Sequence, residues 1–378
     1  MSRIFLSFLA FIFVASVAAP PAAAQAGAAG RAVVAYGAGF SIEYREGYKL
    51  LTVARPWPGA TKGFVYALYP RGSARPTGVR ADRFFETPIR KAVTFSTTYI
   101  PQIAAIGEAD SIVGVDTAAF VSTSAVRANI KAGKTVETTR NWAPDVERMI
   151  ALAPDAVFTY GMGNEWDSHP KLVEAGLPVV IDAEWNEAEP LARAEWIKFV
   201  AAFYDKEAQA QAYFDRVAAE YSRLKSLAAG AAKRPAVLVN GPFQGTWAVS
   251  GGASYMARFI ADAGGAYLWA DDKGTGGIVL SIEAVFERGL KADVWLNPNL
   301  SALRVADVVA LDSRFAALPV AASGAIWNNN LRMNGEGGND YFESAVLDAD
   351  KVLADMIKVF HPELLADRPF TYYRKLAK

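Results

Sequence analysis

The sequence predicts an α/β protein with two parallel-sheet α/β lobes, one long backbone helix joining them, and an N-terminal β-hairpin extension. Three observations predict it. Short apolar runs alternate with helix-period runs from Lys91 to Asp182, and again from Pro235 to Asn328. That alternation marks a parallel sheet with crossover helices. Residues 191–230 between them contain no proline and no glycine before Gly230, and Tyr213, Val217 and Tyr221 recur at helical spacing. A helix–strand phrase also occurs twice, as "VERMIALAPDAVFTYG" (Val146–Gly161) and "IEAVFERGLKADVWLNPN" (Ile282–Asn299). Each copy puts a glutamate early in a helical run, then Leu-x-x-Asp, then an apolar strand. Two lobes of similar build account for the repetition.

Residues 1–26 read as a signal peptide. Arg3 precedes the apolar run "IFLSFLAFIFVASVAA", and "PAAAQA" offers cleavage after Ala24 or Ala26. The chain has no cysteine, which excludes disulfides, thiolate metal sites and a lipid-modified cysteine anchor. A periplasmic protein exported through a cleaved signal is therefore expected. With 378 residues, 52% of them hydrophobic, the chain is long enough for two cores. Its 39 basic and 39 acidic residues balance, and no basic tract stands out, so nucleic acid is not expected as a partner.

Residues 27–87 form the β extension. "FSIEYREGYKLLTV" alternates apolar and polar residues around an Arg-Glu-Gly turn, and "FVYALYPRG" supplies a third strand. Glycines and prolines then mark a loop to Pro88. Residues 88–190 form the first lobe, with strands in "KAVTFS", "SIVGV", "DAVFTYG" and "LPVVID". Its helices lie in "TTYIPQIAAIG", "DVERMIALA" and "HPKLVEAG". Residues 191–230 are the linking helix, with a break expected near Asp205. Residues 231–378 form the second lobe, with strands in "PAVLVN", "ADVWLN" and "GAIWNN". Its helices lie in "SYMARFIADAG", "IEAVFERGL" and "ADVVALDSRFAAL", and "DADKVLADMIKVF" is the closing helix.

From Pro88 onward this order resembles the periplasmic substrate-binding proteins of ABC importers for ferric siderophores, haem and cobalamin. Three stretches carry the resemblance: "PIRKAVTFSTTYIPQIAAIGEADSIVGV", "VERMIALAPDAVF" and "GGNDYFESAVLDADKVLADMIKVFHPELL". The resemblance implies a ligand cleft between two lobes held by a rigid helix. It also implies that Glu147 and Glu283 dock onto arginines of a permease dimer in the inner membrane. Two carboxylates on a rigid body match such a partner in spacing and charge. A glutamate in a first helical turn is also favourable with no partner at all. The protein is expected to be a monomer without a resident cofactor, ATP hydrolysis belonging to partner subunits.

In such a fold, ligands meet the loops after the strand C-terminal ends. Those loops nominate Ser96, Thr97, Tyr99, Tyr160, Asn164, Trp166, Phe243, Gln244, Trp247, Trp327, Asn328, Asn329, Asn330 and Arg332. Aromatics beside amides suit a large, partly apolar ligand with a polar edge. Arg332 would favour an anion. With only His169 and His361, the chain lacks the histidines of a bare-metal site, although His169 or Tyr160 offers a haem ligand. No Gly-x-Ser-x-Gly elbow, phosphate loop or dinucleotide fingerprint occurs, and no enzyme is expected. A metal-free hydrophobic ligand and an exported enzyme with an unrecognised active site stay as alternatives.

Overall fold

The computed structural model describes residues 30–378; the signal-peptide reading lies outside them. The chain is α/β, with a parallel five-stranded sheet in the first lobe and a mixed one in the second.

In the first lobe the strand order is Val179–Ile181, Ala156–Thr159, Ala92–Thr94, Ile112–Val115, Val136–Glu137, all parallel. Chain order reverses between Ala92–Thr94 and Ala156–Thr159. The second lobe runs Ala266–Tyr267, Ala236–Val239, Val294–Leu296, Ile326–Asn328, with Arg374–Lys375 added antiparallel at the edge. Its reversal falls between Ala236–Val239 and Val294–Leu296. At each reversal the neighbouring crossovers leave in opposite directions, and a crevice opens beyond the strand C-termini.

The repeated phrase has one structural meaning in both lobes. Glu147 and Glu283 each occupy the second position of a helix, Val146–Leu152 and Ile282–Gly289. Asp145 and Ser281 cap these helices. The aspartate of Leu-x-x-Asp then ties the following strand to its neighbour. Asp155 accepts from the Arg90 and Lys91 amides, and Asp293 from the Ala236 amide at 2.8 Å.

The extension is a sheet of four strands: Phe40–Arg45, Tyr48–Val53, Phe64–Pro70 and Arg83–Thr87. The expected hairpin turns at Gly47, where φ is 77°. The fourth strand, parallel to the third, lies where the sequence predicts only loop. Nor does the sheet stand apart. Tyr66 and Phe85 pack on Phe203 at 6.3 and 5.2 Å between ring centres, and Phe40 on Trp196 at 4.7 Å. Phe158 of the first lobe meets the same Phe203 ring at 5.4 Å. Extension, linker and first lobe thus share one core.

The linking segment is three helices, Pro190–Glu195, Ile197–Ala202 and the 23-residue Glu207–Ala229, in place of one. It breaks at Asp205, whose φ is 54°. Lys49 of the extension pins the break, binding Asp205 and Glu207 at 2.7 Å each. Two carboxylates, Glu195 in the linker and Glu187 just before it, anchor the start of the described chain. Glu195 accepts from the Ala35, Tyr36 and Gly37 amides and from Lys198, and Glu187 from Ala38 and Gly39.

The lobes also touch beyond the linker. After Asn328 the chain crosses to the first lobe before entering the helix Ala349–Phe360. Asn334 donates to Ala119 and Val121 at 2.9 and 3.0 Å. Glu343, fully buried, accepts from the Ser122 and Thr123 amides at 2.6 and 2.7 Å and from the Thr123 hydroxyl. It thereby covers the start of the helix Ser124–Lys131 from across the lobe boundary.

Candidate functional site

Both reversal points open onto the groove between the lobes. On the first-lobe side Ser96, Thr98 and Tyr99 follow one strand and Tyr160 and Met162 the other, around a cavity of about 350 Å³. On the second-lobe side Asn240 and Asn297 follow the paired strands, in the wall of a cavity of about 530 Å³. A narrow space of about 70 Å³ lined by Thr98, Arg193, Tyr255, Tyr341 and Phe342 runs between them.

The charges at this junction come from Arg193 of the linker and Glu184 of the short turn before it. Arg193 binds Glu184 through Nη2 at 2.6 Å and Nε at 2.9 Å, and its guanidinium lies 4.2 Å from the Tyr255 ring centre. Burial opposes the arginine's charge, but the Glu184 carboxylate outweighs it and holds the arginine protonated. Beneath this pair, fully buried Asp182 accepts from the Glu184 amide and Gln102. Burial and the nearby Glu184 push its carboxyl well above the usual range. The Tyr160 phenol is raised by burial and by Asp116 and Asp167.

The residues nominated from sequence divide. Ser96, Tyr99 and Tyr160 face the first cavity, and Phe243, Asn328 and Asn329 the second. Thr97 instead donates to the Phe342 carbonyl across the lobe boundary. Trp247 belongs to the core: it is fully buried, stacks 5.4 Å from Trp295 and donates to the Val239 carbonyl. It sits on Thr246–Ser250, the middle strand of an antiparallel sheet with Pro242–Phe243 and Gly277–Ser281. Gln244 makes that sheet's first turn, with φ at 49°. Trp327 packs between Phe370 and Lys375, and Asn330 turns its amide onto Leu300 and Ala302. Asn164 accepts from the Trp166 amide, and Trp166 is 82% exposed outside both cavities. Arg332 is held by Asp340 at 2.9 Å.

Trp247→Ala is therefore expected to cost about 3–5 kcal/mol of stability, as for a buried aromatic. Phe243→Ala, removing a ring 74% exposed, should leave stability unchanged and weaken ligand binding. Chemical denaturation of the two variants checks the contrast, and equal losses would contradict it.

The extension reaches the site through Trp57. A Cβ on Gly161 or Gly163 would lie 2.6 or 2.4 Å from the Trp57 indole, so "YGMG" needs glycine at both positions. His169 lies under the same ring at 5.3 Å, and burial lowers its pKa against the pull of Asp167. It therefore faces the extension and lines neither cavity. Among the described residues, no three of His, Cys, Asp and Glu gather as a metal-ligand set. Asn240 and Asn297 lie at the ends of strands and sequence reasoning passed them over, and the wall residues Glu184, Trp185, Arg193, Tyr255 and Tyr341 were missed for another reason. They sit on helices or short turns rather than on loops after strands, and only tertiary folding brings them to the groove.

The family described as periplasmic binding protein matches residues 93–327. An uncharacterized lipoprotein of Methanocaldococcus jannaschii is 27% identical over 304 residues, covering 78% of this chain and 70% of the relative. Two solved structures share the fold. One, from an ABC-type Fe3+-hydroxamate transport system of Saccharomonospora viridis, aligns with a TM-score of 0.56 at 16% identity. That alignment covers 73% of this chain and 95% of the other. The second, a periplasmic heme binding protein of Pseudomonas aeruginosa, gives 0.54 at 19% identity, covering 72% and 93%.

Proposed function

The chain belongs to the periplasmic binding protein family, and from that premise we propose that it captures an iron complex of siderophore type, or a corrinoid or haem, in the groove between its lobes. An ABC importer's permease is the partner that receives the ligand. The observation that carries this reading is the groove itself. Two strand-order reversals face each other across it, with Tyr99, Tyr160 and Trp185 on one wall and Phe243, Tyr255 and Tyr341 on the other. Aromatic walls beside amides fit a ligand with an apolar body and a polar edge. The family match and the named lipoprotein relative support an extracytoplasmic location.

Tryptophan fluorescence tests the reading. The chain has nine tryptophans, and Trp185 lies in the first-lobe wall. Titration of the exported protein with ferric siderophores, haem and cobalamin is expected to give saturable quenching by one of them at micromolar levels or below. Flat traces across the panel would remove the metal-chelate reading.

A further inference from the structure

The hairpin that leads into the Glu147 helix carries an unexpected residue at its tip. Thr139–Arg140 and Ala143–Pro144 pair antiparallel, so Asn141 and Trp142 make a two-residue turn. Both are left-handed, at φ 53° and 63°. Asparagine followed by glycine suits such a turn, because a bulky side chain at the second position is strained. Here the second position holds a tryptophan that is 82% exposed. Among the described residues its ring is approached by Phe120, 6.3 Å away and itself exposed. Glycine would serve the turn better, and the core gains nothing from this indole.

The hairpin is fastened to the helix that follows it. Arg140 binds Asp145 at 2.8 Å, and Asp145 caps Val146–Leu152. The Asp145 amide donates to the Thr138 carbonyl, and the Arg148 guanidinium to the Glu137 carbonyl, each at 2.9 Å. Trp142 therefore rides on one rigid unit with Glu147, five residues on. Ile150, one helical turn beyond Glu147 and on the same side of the helix, is exposed too. The second lobe repeats the layout. Its strand Gly277–Ser281 ends on the serine that caps the Glu283 helix, and Val279 on that strand is 67% exposed. Each lobe thus offers a glutamate and an exposed apolar side chain on the strand that leads to it. The larger side chain accompanies Glu147, the carboxylate that no ion pair engages among the described residues.

Resting on the reading that a permease receives the ligand, we propose that Trp142 anchors the first lobe to that permease, seated in an apolar pocket beside the arginine that Glu147 meets. Tryptophan is among the side chains that most often dominate protein interfaces, and its two rotatable bonds leave little freedom to lose on seating. The charges favour a protein over an anionic lipid surface. No cluster of cations accompanies the indole, as such a surface would favour: Arg140 is held by Asp145, and Arg148 turns onto Glu137. The outward carboxylate of Glu147 calls instead for a cation on the partner.

Photocrosslinking in cells that make the full protein tests the proposal without knowledge of the ligand. Ile150 is replaced by benzoylphenylalanine, with and without Trp142→Gly. A control carries the crosslinker in place of Ser226, exposed on the helix Glu207–Ala229. Ultraviolet light is expected to join position 150, and not position 226, to the importer's permease subunit, identified by its peptides. Trp142→Gly should reduce that product by about tenfold or more. The same substitution should leave the melting temperature within about 2 °C of the original or raise it, because glycine suits the turn. A larger fall would give the indole a structural role and overturn the proposal. So would a product with lipid or with a second copy of this chain. A permease product that ignores Trp142→Gly would overturn the anchor and leave the permease reading standing. No permease product at position 150 would remove docking at this face and the anchor with it.

Discussion

Glu195→Ala is expected to be among the most destabilising single substitutions in this protein, lowering unfolding free energy by about 3–5 kcal/mol. Glu195 is fully buried, and its Lys198 partner is 1% exposed and 2.8 Å away. Removing the carboxylate leaves an ammonium in the core with only the Val33 carbonyl at 2.6 Å and the Phe214 ring at 4.1 Å. It also strips the shared acceptor from the Ala35, Tyr36 and Gly37 amides, freeing the start of the described chain from the linker. Lys198→Met should cost less, because Glu195 keeps those three amide donors. Urea denaturation of both variants gives the ordering. A Glu195→Ala protein within about 0.5 kcal/mol of the original would show that the anchor contributes nothing.

The second large effect concerns delivery. Reversal of both Glu147 and Glu283 to lysine is expected to abolish uptake while leaving ligand affinity intact. The two side chains are exposed at the same position of equivalent helices, one per lobe, and neither approaches the groove. Their surroundings differ. Glu283 is bound by Arg314 at 2.8 Å, and that hydrogen bond lowers its pKa, whereas no such ion pair engages Glu147 among the described residues. On the docking proposal, a permease arginine would have to compete with Arg314 for Glu283, and would meet no such competitor at Glu147 among the described residues. Glu147→Lys alone should therefore impair uptake more than Glu283→Lys alone. Uptake that survives in the double variant would end the docking assignment.

Much of the fold was legible because both lobes obey local rules. Leu-x-x-Asp before an apolar strand recurs because each lobe must tie that strand to a neighbour through an aspartate. The break at Asp205 was legible too. The antiparallel sheet of the second lobe was not, since Thr246–Ser250 pairs with Gly277–Ser281, beyond the intervening helix Tyr255–Asp262. Its exposed–buried alternation, with Trp247 and Val249 inward, is present in "TWAVS", but Gly241 and Gly245 made the stretch look like a loop. The strand Arg83–Thr87 was hidden for a related reason: it pairs in parallel with Phe64–Pro70, so no tight turn announces it. Strand-end loops drew attention to Ser96, Tyr160 and Asn328, which lie in the cavity walls. Arg193 and Tyr255 escaped because a helical residue reaches a groove only through the packing of its helix.

The Glu343 contact has a thermodynamic corollary. A charge-assisted hydrogen bond between lobes, backed by Asn334 and by the Glu189–Arg258 pair at 2.7 Å, opposes separation even when the groove is empty. Binding then meets surfaces already assembled. In calorimetry, the heat-capacity change on binding should scale with the apolar area of the ligand itself, with little added by the lobes coming together. Small-angle scattering should show nearly the same radius of gyration with and without ligand.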